Sequence, residues 1–89
     1  MTFCNTYNIR WKKSAKKELL NIDKSIIPLI IAAVEDLKTN PFPNQCRKLT
    51  NNDFIYRIRV KDYRIVYSVH GDILTVEIIR VRHRKDVYR

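Results

Sequence analysis

Apolar and polar positions change their spacing twice along this chain. Between residues 7 and 11, apolar residues alternate with polar ones, and this spacing of two predicts a β-strand. From residue 15 to 37, apolar residues recur every three or four positions, which predicts helices with one buried face. From residue 54 almost to the end the spacing of two returns. The chain therefore predicts a strand, a helical region and then a run of strands.

The helical region divides into two helices. Asp23 and Ser25 end the first helix and begin the second, and Pro28 is tolerated because it falls in the second helix's first turn. Asn40-Pro41 ends that helix, since the residue before a proline is pushed out of the helical conformation. Two helices with so short a joint form a helical hairpin.

The second half predicts three strands joined by tight turns. Residues 42–52 are interpreted as a loop, Lys61-Asp62 as one turn and His70-Gly71-Asp72 as another, with Gly71 free to adopt a positive φ. The predicted order is β-α-α-β-β-β in the α+β class. The small twisted sheet is mostly antiparallel, the first strand lies at an edge, and the N-terminal helical hairpin packs on one face.

Length and composition limit the possible functions. The 89 residues form a single domain, residues 1–89, and the one glycine excludes glycine-rich phosphate loops. The longest apolar stretch, residues 26–34, is too short to span a bilayer, so we expect a cytoplasmic protein without a membrane partner. Cys4 and Cys46 have no zinc-ligand spacing, so we expect two thiols, no metal and no small-molecule cofactor.

The net charge of +9 favours polyanionic partners. Arginine is concentrated in the second half of the chain, and its planar guanidinium binds phosphate in a bidentate manner. Eight arginines lie there: Arg47, Arg57, Arg59, Arg64, Arg80, Arg82, Arg84 and Arg89.

Strand alternation predicts which arginines share a face. Arg57 and Arg59 lie on one face, and Arg64 joins them if the hairpin register places it beside Arg59. Arg80 and Arg82 also share a face. In the last predicted strand, one alternating set is Leu74, Val76, Ile78 and Arg80, and the other is Thr75, Glu77, Ile79 and Val81. We expect a basic sheet surface that binds phosphodiesters, with an ordinary solvated sheet face as the alternative.

The tail contains one candidate base. His83 is flanked by cations, which disfavours protonation of its imidazole, so it is a candidate proton acceptor in a cationic, metal-free site. Tyr88 offers a hydroxyl or a stacking ring. The alternative is that His83 is an ordinary surface residue.

Several segments together resemble the RelE/ParE superfamily of bacterial toxins. They are the Tyr7-Asn8-Ile9 strand, the helical hairpin ending at Asn40-Pro41, residues 56–60 (YRIRV), residues 62–67 (DYRIVY) and residues 81–88 (VRHRKDVY). The resemblance covers nearly the whole chain and implies a small sheet beneath a helical hairpin. RelE-like members cut messenger RNA in the ribosomal A site, whereas ParE-like members poison DNA gyrase.

The resemblance implies the RelE-like activity, a metal-independent endoribonuclease. Arg64 matches a RelE-type phosphate-binding arginine, Tyr88 matches the C-terminal tyrosine, and Arg57 and Arg59 stand where RelE has lysines. Because an arginine is not a base, Arg59 becomes a charge stabiliser and His83 the expected base.

The other implied roles concern binding and partners. Arg57 and Arg82 steer the RNA backbone, Tyr88 stacks on a base or orients the nucleotide, and both Arg82 and Arg84 remain candidates for the basic tail position. The implied partners are the ribosome, mRNA and a cognate RelB-like antitoxin that masks the arginines. Gyrase inhibition and noncatalytic nucleic-acid binding by the same fold remain as alternatives.

Overall fold

Strands at both ends of the chain meet in one sheet. The computed structural model describes residues 6–44, 46–49 and 54–83. The elements are β1 (Asn8–Trp11), α1 (Lys13–Leu20), α2 (Ile27–Asp36), β2 (Arg47–Lys48), β3 (Ile55–Val60), β4 (Tyr63–His70) and β5 (Thr75–His83). The strand order is β1-β5-β4-β3-β2. β1 pairs in parallel with β5, and all other pairs are antiparallel. The predicted α+β class is confirmed, as is the edge position of the first strand.

The core lies between the helical hairpin and one face of the sheet. The stripe predicted on α2 is buried at Ile30 and Val34, and Leu37 just beyond the helix is buried as well. On the sheet, Ile58 pairs with Ile65, which in turn pairs with Val81, and all three are buried. Directly paired residues point to the same face, so these residues define the helix-facing side.

The loop predicted at residues 42–52 contains a short strand. β2 pairs with β3 through Arg47 and Arg57 and through Lys48 and Tyr56. A two-residue strand carries no alternation that a spacing analysis can detect. At this corner the buried Tyr67 hydroxyl donates a 2.7 Å hydrogen bond to the Pro41 carbonyl, and burial raises the pKa of this hydroxyl.

The two predicted turns are present, but one has a different conformation. Lys61 adopts a φ of 55° in the two-residue turn between β3 and β4. In the turn from residue 71 to 74, Leu74 adopts a φ of 47°, and Gly71 has no positive φ. The expectation that Gly71 supplies the left-handed position is therefore wrong. The turn is longer than predicted, and its left-handed residue is the last one, Leu74.

β5 does not alternate strictly. The register with β4 shifts between Val66, which pairs with Arg80, and Tyr67, which pairs with Ile78, so Ile79 is an extra residue on β5. Such a bulge reverses the alternation beyond it. Val76, Ile78 and Val81 are consequently buried together, and the predicted grouping of Arg80 with Val76 and Ile78 is wrong. Neither helix in the described part of the chain is long and apolar enough to cross a membrane.

Candidate nucleic-acid interface

The strand register gathers arginines on the face of the sheet that points away from the helices. Arg64 pairs directly with Arg59 on one side and with Arg82 on the other. One step along, Arg57 pairs with Arg47. The predicted grouping of Arg57, Arg59 and Arg64 on one face is confirmed by this register. The bulge at Ile79 brings Arg80 and Arg82 to the same side of the sheet as Arg64.

Four of these arginines surround a depression of about 350 Å³, which we name the arginine cleft. Its lining consists of Asn44, Arg47, Arg57, Arg59 and Arg64. The arginines come from β2, β3 and β4, so the width of the cleft is set by strand spacing, about 5 Å between neighbours. Sequence reasoning did not assign Arg47 and Asn44 to the site, because both lie in the segment interpreted as a loop.

The cleft has the chemistry of an anion site. Among the described residues, no carboxylate lines it. Like charges placed directly opposite each other destabilise a sheet, and Arg59 faces Arg64 in this way. Arg59 is oriented by its own turn, because its Nε donates to the Lys61 carbonyl at 3.3 Å. A phosphodiester bound between the guanidinium groups would relieve the repulsion and accept several charge-assisted hydrogen bonds.

The other two arginines of this face lie near a carboxylate at the sheet's edge. Glu18 Oε2 of α1 is 3.4 Å from Arg82 Nε and 3.9 Å from Arg80 Nη1. Neither arginine is among the residues that line the arginine cleft. Arg82 therefore lies beside the arginine cleft, and its role in steering RNA together with Arg57 stays a prediction.

His83 lies on the opposite face from the arginine cleft. It pairs with Tyr63, and the two rings meet edge-to-face with centroids 5.1 Å apart. Both line a cavity of about 740 Å³ beside α1, which Asp23 and Arg82 also line. The Ser25 backbone N–H and hydroxyl both donate to Asp23, at 3.0 and 2.9 Å, and these bonds lower the pKa of its carboxyl. His83 was predicted to act beside Arg59 and Arg64, and the structure does not bring these three residues together.

Two predicted site residues, Arg84 and Tyr88, lie outside the described residues. Cys46 is half-buried and is a thiol. Within residues 6–44, 46–49 and 54–83, no group of three or more His, Cys, Asp or Glu side chains is arranged to hold a metal ion. The described part of the candidate interface is thus built from arginines and Asn44.

Comparisons with a family model and with known proteins point to the same family of toxins. Residues 9–88 match the family described as ParE toxin of type II toxin-antitoxin system, parDE. The toxin RelG of Mycobacterium tuberculosis is 30% identical over 88 residues, which cover 93% of this chain and 97% of that protein.

Solved structures of two toxin–antitoxin complexes have a similar chain. The RelE–RelB complex from Pyrococcus horikoshii is 26% identical with a TM-score of 0.80, covering 89% of this chain and 96% of that one. The RelB–RelE complex from Methanococcus jannaschii is 30% identical with a TM-score of 0.74, covering 89% and 94%. In fold, length and sequence, the resemblance to the RelE/ParE superfamily is confirmed. The chain belongs to the ParE toxin family and is a toxin of a toxin–antitoxin system of the RelE/ParE type.

Proposed function

We propose that this toxin is a ribosome-dependent endoribonuclease that cleaves messenger RNA in the A site and so inhibits translation. The observation that carries the proposal is the arginine cleft, where Arg59 and Arg64 face each other directly on the sheet surface opposite the helices. The RelE and RelG names of the relatives support the same activity.

The chemistry is an intramolecular transesterification. The ribose 2′-oxygen attacks the adjacent phosphorus, the bond to the 5′-oxygen breaks, and that oxygen leaves with a proton as a hydroxyl. The products are a 2′,3′-cyclic phosphate and a 5′-hydroxyl end. Negative charge builds on the phosphoryl oxygens, and Arg59 and Arg64 stabilise it because they are already oriented towards that position. Arg57 and Arg47 hold the flanking backbone.

The lining of the cleft supports a different acceptor for the proton than the predicted His83. The arginine cleft is lined by four arginines and an asparagine, and none of them is a base at neutral pH. Because His83 lies on the helix side, we propose that the 2′-hydroxyl proton passes to water or to a ribosomal group. The ribosome aligns the 2′-oxygen with the phosphorus, and such positioning is a large part of the rate. Tyr88 keeps its proposed role of stacking on or orienting a nucleotide.

A cognate RelB-like antitoxin is the proposed protein partner. The similar toxins from Pyrococcus horikoshii and Methanococcus jannaschii are solved in complex with RelB. A surface of closely spaced arginines favours an antitoxin whose acidic side chains cover the cleft.

Gyrase inhibition is the second candidate function, because the matching family is described as the ParE toxin. A gyrase inhibitor would have no chemical use for two guanidinium groups directly opposite each other. The cleft therefore favours the ribonuclease.

Induced expression of the chain, with translation and replication followed in parallel, tests the proposal. We expect protein synthesis to stop first and cleavage to appear in translated messages, with no cleavage in the same message lacking a start codon. Early loss of DNA synthesis with intact messages would replace the ribonuclease by the gyrase inhibitor.

A further inference from the structure

The single acidic residue of α1 is not explained by the stability of the helix. Glu18 lies near the C-terminal end of α1 (Lys13–Leu20), where a negative charge opposes the helix dipole. Its neighbour Leu19 is buried in the core, so the helix fixes the Glu18 side chain beside β5. Glu18 therefore lowers the stability of α1, and we look for its role in contacts outside the helix.

Glu18 occupies the exposed edge of β5. β1 pairs with β5 only as far as Trp11 and Ile78, so further along this side of β5 no β1 residue is paired. There the Val81 backbone N–H donates a 3.0 Å hydrogen bond to Glu18 Oε1. The other carboxylate oxygen is the one that approaches Arg82 and Arg80, at 3.4 and 3.9 Å.

These three donors make the kind of pocket that a phosphate occupies. A backbone N–H and two guanidinium groups surround one carboxylate, and carboxylate and phosphate each present a pair of anionic oxygens that arginine can bind. Arg82 Nε is shielded from solvent yet has no hydrogen bond of good geometry. Both ion pairs are long, and pairs between partly exposed side chains such as these contribute little to stability.

The site is one strand away from the arginine cleft. Arg82 is directly paired with Arg64, so the two sites are separated by about 5 Å, the spacing of neighbouring strands. We propose that Glu18 is an internal anion in a second phosphate subsite formed by Arg80, Arg82 and Val81 N–H, and that a backbone phosphate of RNA replaces it. The inference rests on the proposed use of the arginine cleft to hold RNA.

Binding of a labelled 2′-O-methyl RNA oligonucleotide, which lacks the attacking hydroxyl, isolates the subsite from cleavage. Glu18→Gln keeps an oxygen for Val81 N–H but removes the charge that competes for the arginines. We expect about three- to tenfold tighter binding at low salt, and a salt dependence of log K steeper by about 0.7 for each phosphate gained. Adding Arg82→Ala to Glu18→Gln is expected to cancel most of the gain.

Glu35→Gln is the matched control. Glu35 pairs with Lys38 at 2.8 Å on α2, so its loss changes net charge by the same amount and also breaks an ion pair. Equal gains from the two variants, or weaker binding by Glu18→Gln, would overturn the subsite.

Thermal unfolding checks that each variant folds. As a second measurement, RNA binding by Arg82→Ala is compared with RNA binding by Arg57→Ala, each in the otherwise unchanged chain. We expect Arg82→Ala to weaken RNA binding less than Arg57→Ala does, because Glu18 is already paired with Arg82. An equal or larger loss of binding in Arg82→Ala would also overturn the proposal.

The assay separates this inference from the proposed function. Tighter binding by Glu18→Gln without ribosome-dependent cleavage would support the subsite and remove the ribonuclease. Normal cleavage with no effect of Glu18→Gln on binding would support the ribonuclease and overturn the subsite. No binding by either protein would also overturn the subsite, whereas the ribonuclease is decided by the cleavage measurement alone.

Discussion

Arg59 and Arg64 show how a single cross-strand pair defines the candidate site. Their side chains extend from neighbouring strands at the same register position, on the face without helices. Like charges paired across strands destabilise a sheet, and two neighbouring guanidinium groups can bind one phosphate together. The same pair therefore opposes folding and suits the binding of an anion.

Arg64→Ala is expected to reduce ribosome-dependent cleavage by about 10²–10³-fold, because it removes one preorganised charge from the developing oxyanion. Single-turnover cleavage of a translated message measures the loss. Lys16→Ala, an exposed residue of α1, serves as the control and is expected to change the rate little. Similar losses from both variants would mean that bulk charge alone matters.

His83→Gln is expected to retain cleavage within about tenfold of the original rate, far from the 10²–10⁴-fold loss typical of a missing general base. The reason is the position of His83 against Tyr63, on the other face of the sheet from the cleft. The pH profile of single-turnover cleavage is expected to keep its shape in this variant. A loss of 10²-fold or more, with the pH dependence abolished, would restore His83 as the base.

The strand faces could be predicted from sequence wherever alternation is unbroken. It is unbroken through β3 and β4, so Arg57, Arg59 and Arg64 were correctly grouped. It fails at Ile79, because a bulge is set by how β5 fits β4 and leaves no mark in the spacing of apolar residues. Arg47 was missed because β2 has two residues, and Glu18 because its partners are distant in sequence.

At the scale of elements, the turn between β4 and β5 has a backbone conformation that its sequence did not predict. Gly71 was expected to supply the left-handed position, yet Leu74 takes the left-handed conformation in that turn. A Cβ built on Gly71 would meet its nearest atom, the Tyr7 hydroxyl oxygen, at 4.0 Å, which is ordinary contact distance. Gly71 therefore raises the conformational entropy of the unfolded chain, although the folded turn does not require a glycine at this position.

Gly71→Ala is expected to raise the free energy of unfolding by about 0.4–1 kcal/mol, because alanine restricts the unfolded chain. Urea denaturation monitored by circular dichroism measures the change. Leu74→Ala serves as a comparison, because alanine keeps the left-handed position but removes an apolar side chain. We expect this variant to lower the free energy of unfolding. A loss of stability in Gly71→Ala would show that the turn requires glycine after all.

The whole molecule carries its charge unevenly. The net charge is +9, and directly paired arginines lie on the face of the sheet opposite the core. Salt screens such repulsion over about 10 Å at 0.1 M. The isolated toxin is therefore held below its attainable stability by this surface.

Raising NaCl from low to moderate concentration is expected to increase the melting temperature by roughly 4–8 °C, equivalent to about 1 kcal/mol in a domain of this size. Arg59→Gln is expected to show a smaller increase than Lys17→Gln, although both remove one positive charge, because Lys17 is exposed on α1 away from the paired arginines. Scanning calorimetry at several salt concentrations checks both expectations. An equal response of the two variants would attribute the effect to net charge alone.

The parallel pairing of β1 with β5 makes folding wait for the synthesis of β5. β1 is the first described strand to be made, but Asn8 pairs with Thr75 and Trp11 with Ile78, so it needs the last described strand. Contacts between such distant residues form late, and a growing chain keeps its unpaired strand and incomplete core exposed until then. A chain interrupted before β5 also lacks Val76, Ile78 and Val81, three buried side chains of the core. Premature termination before β5 therefore yields a fragment for degradation and no folded toxin.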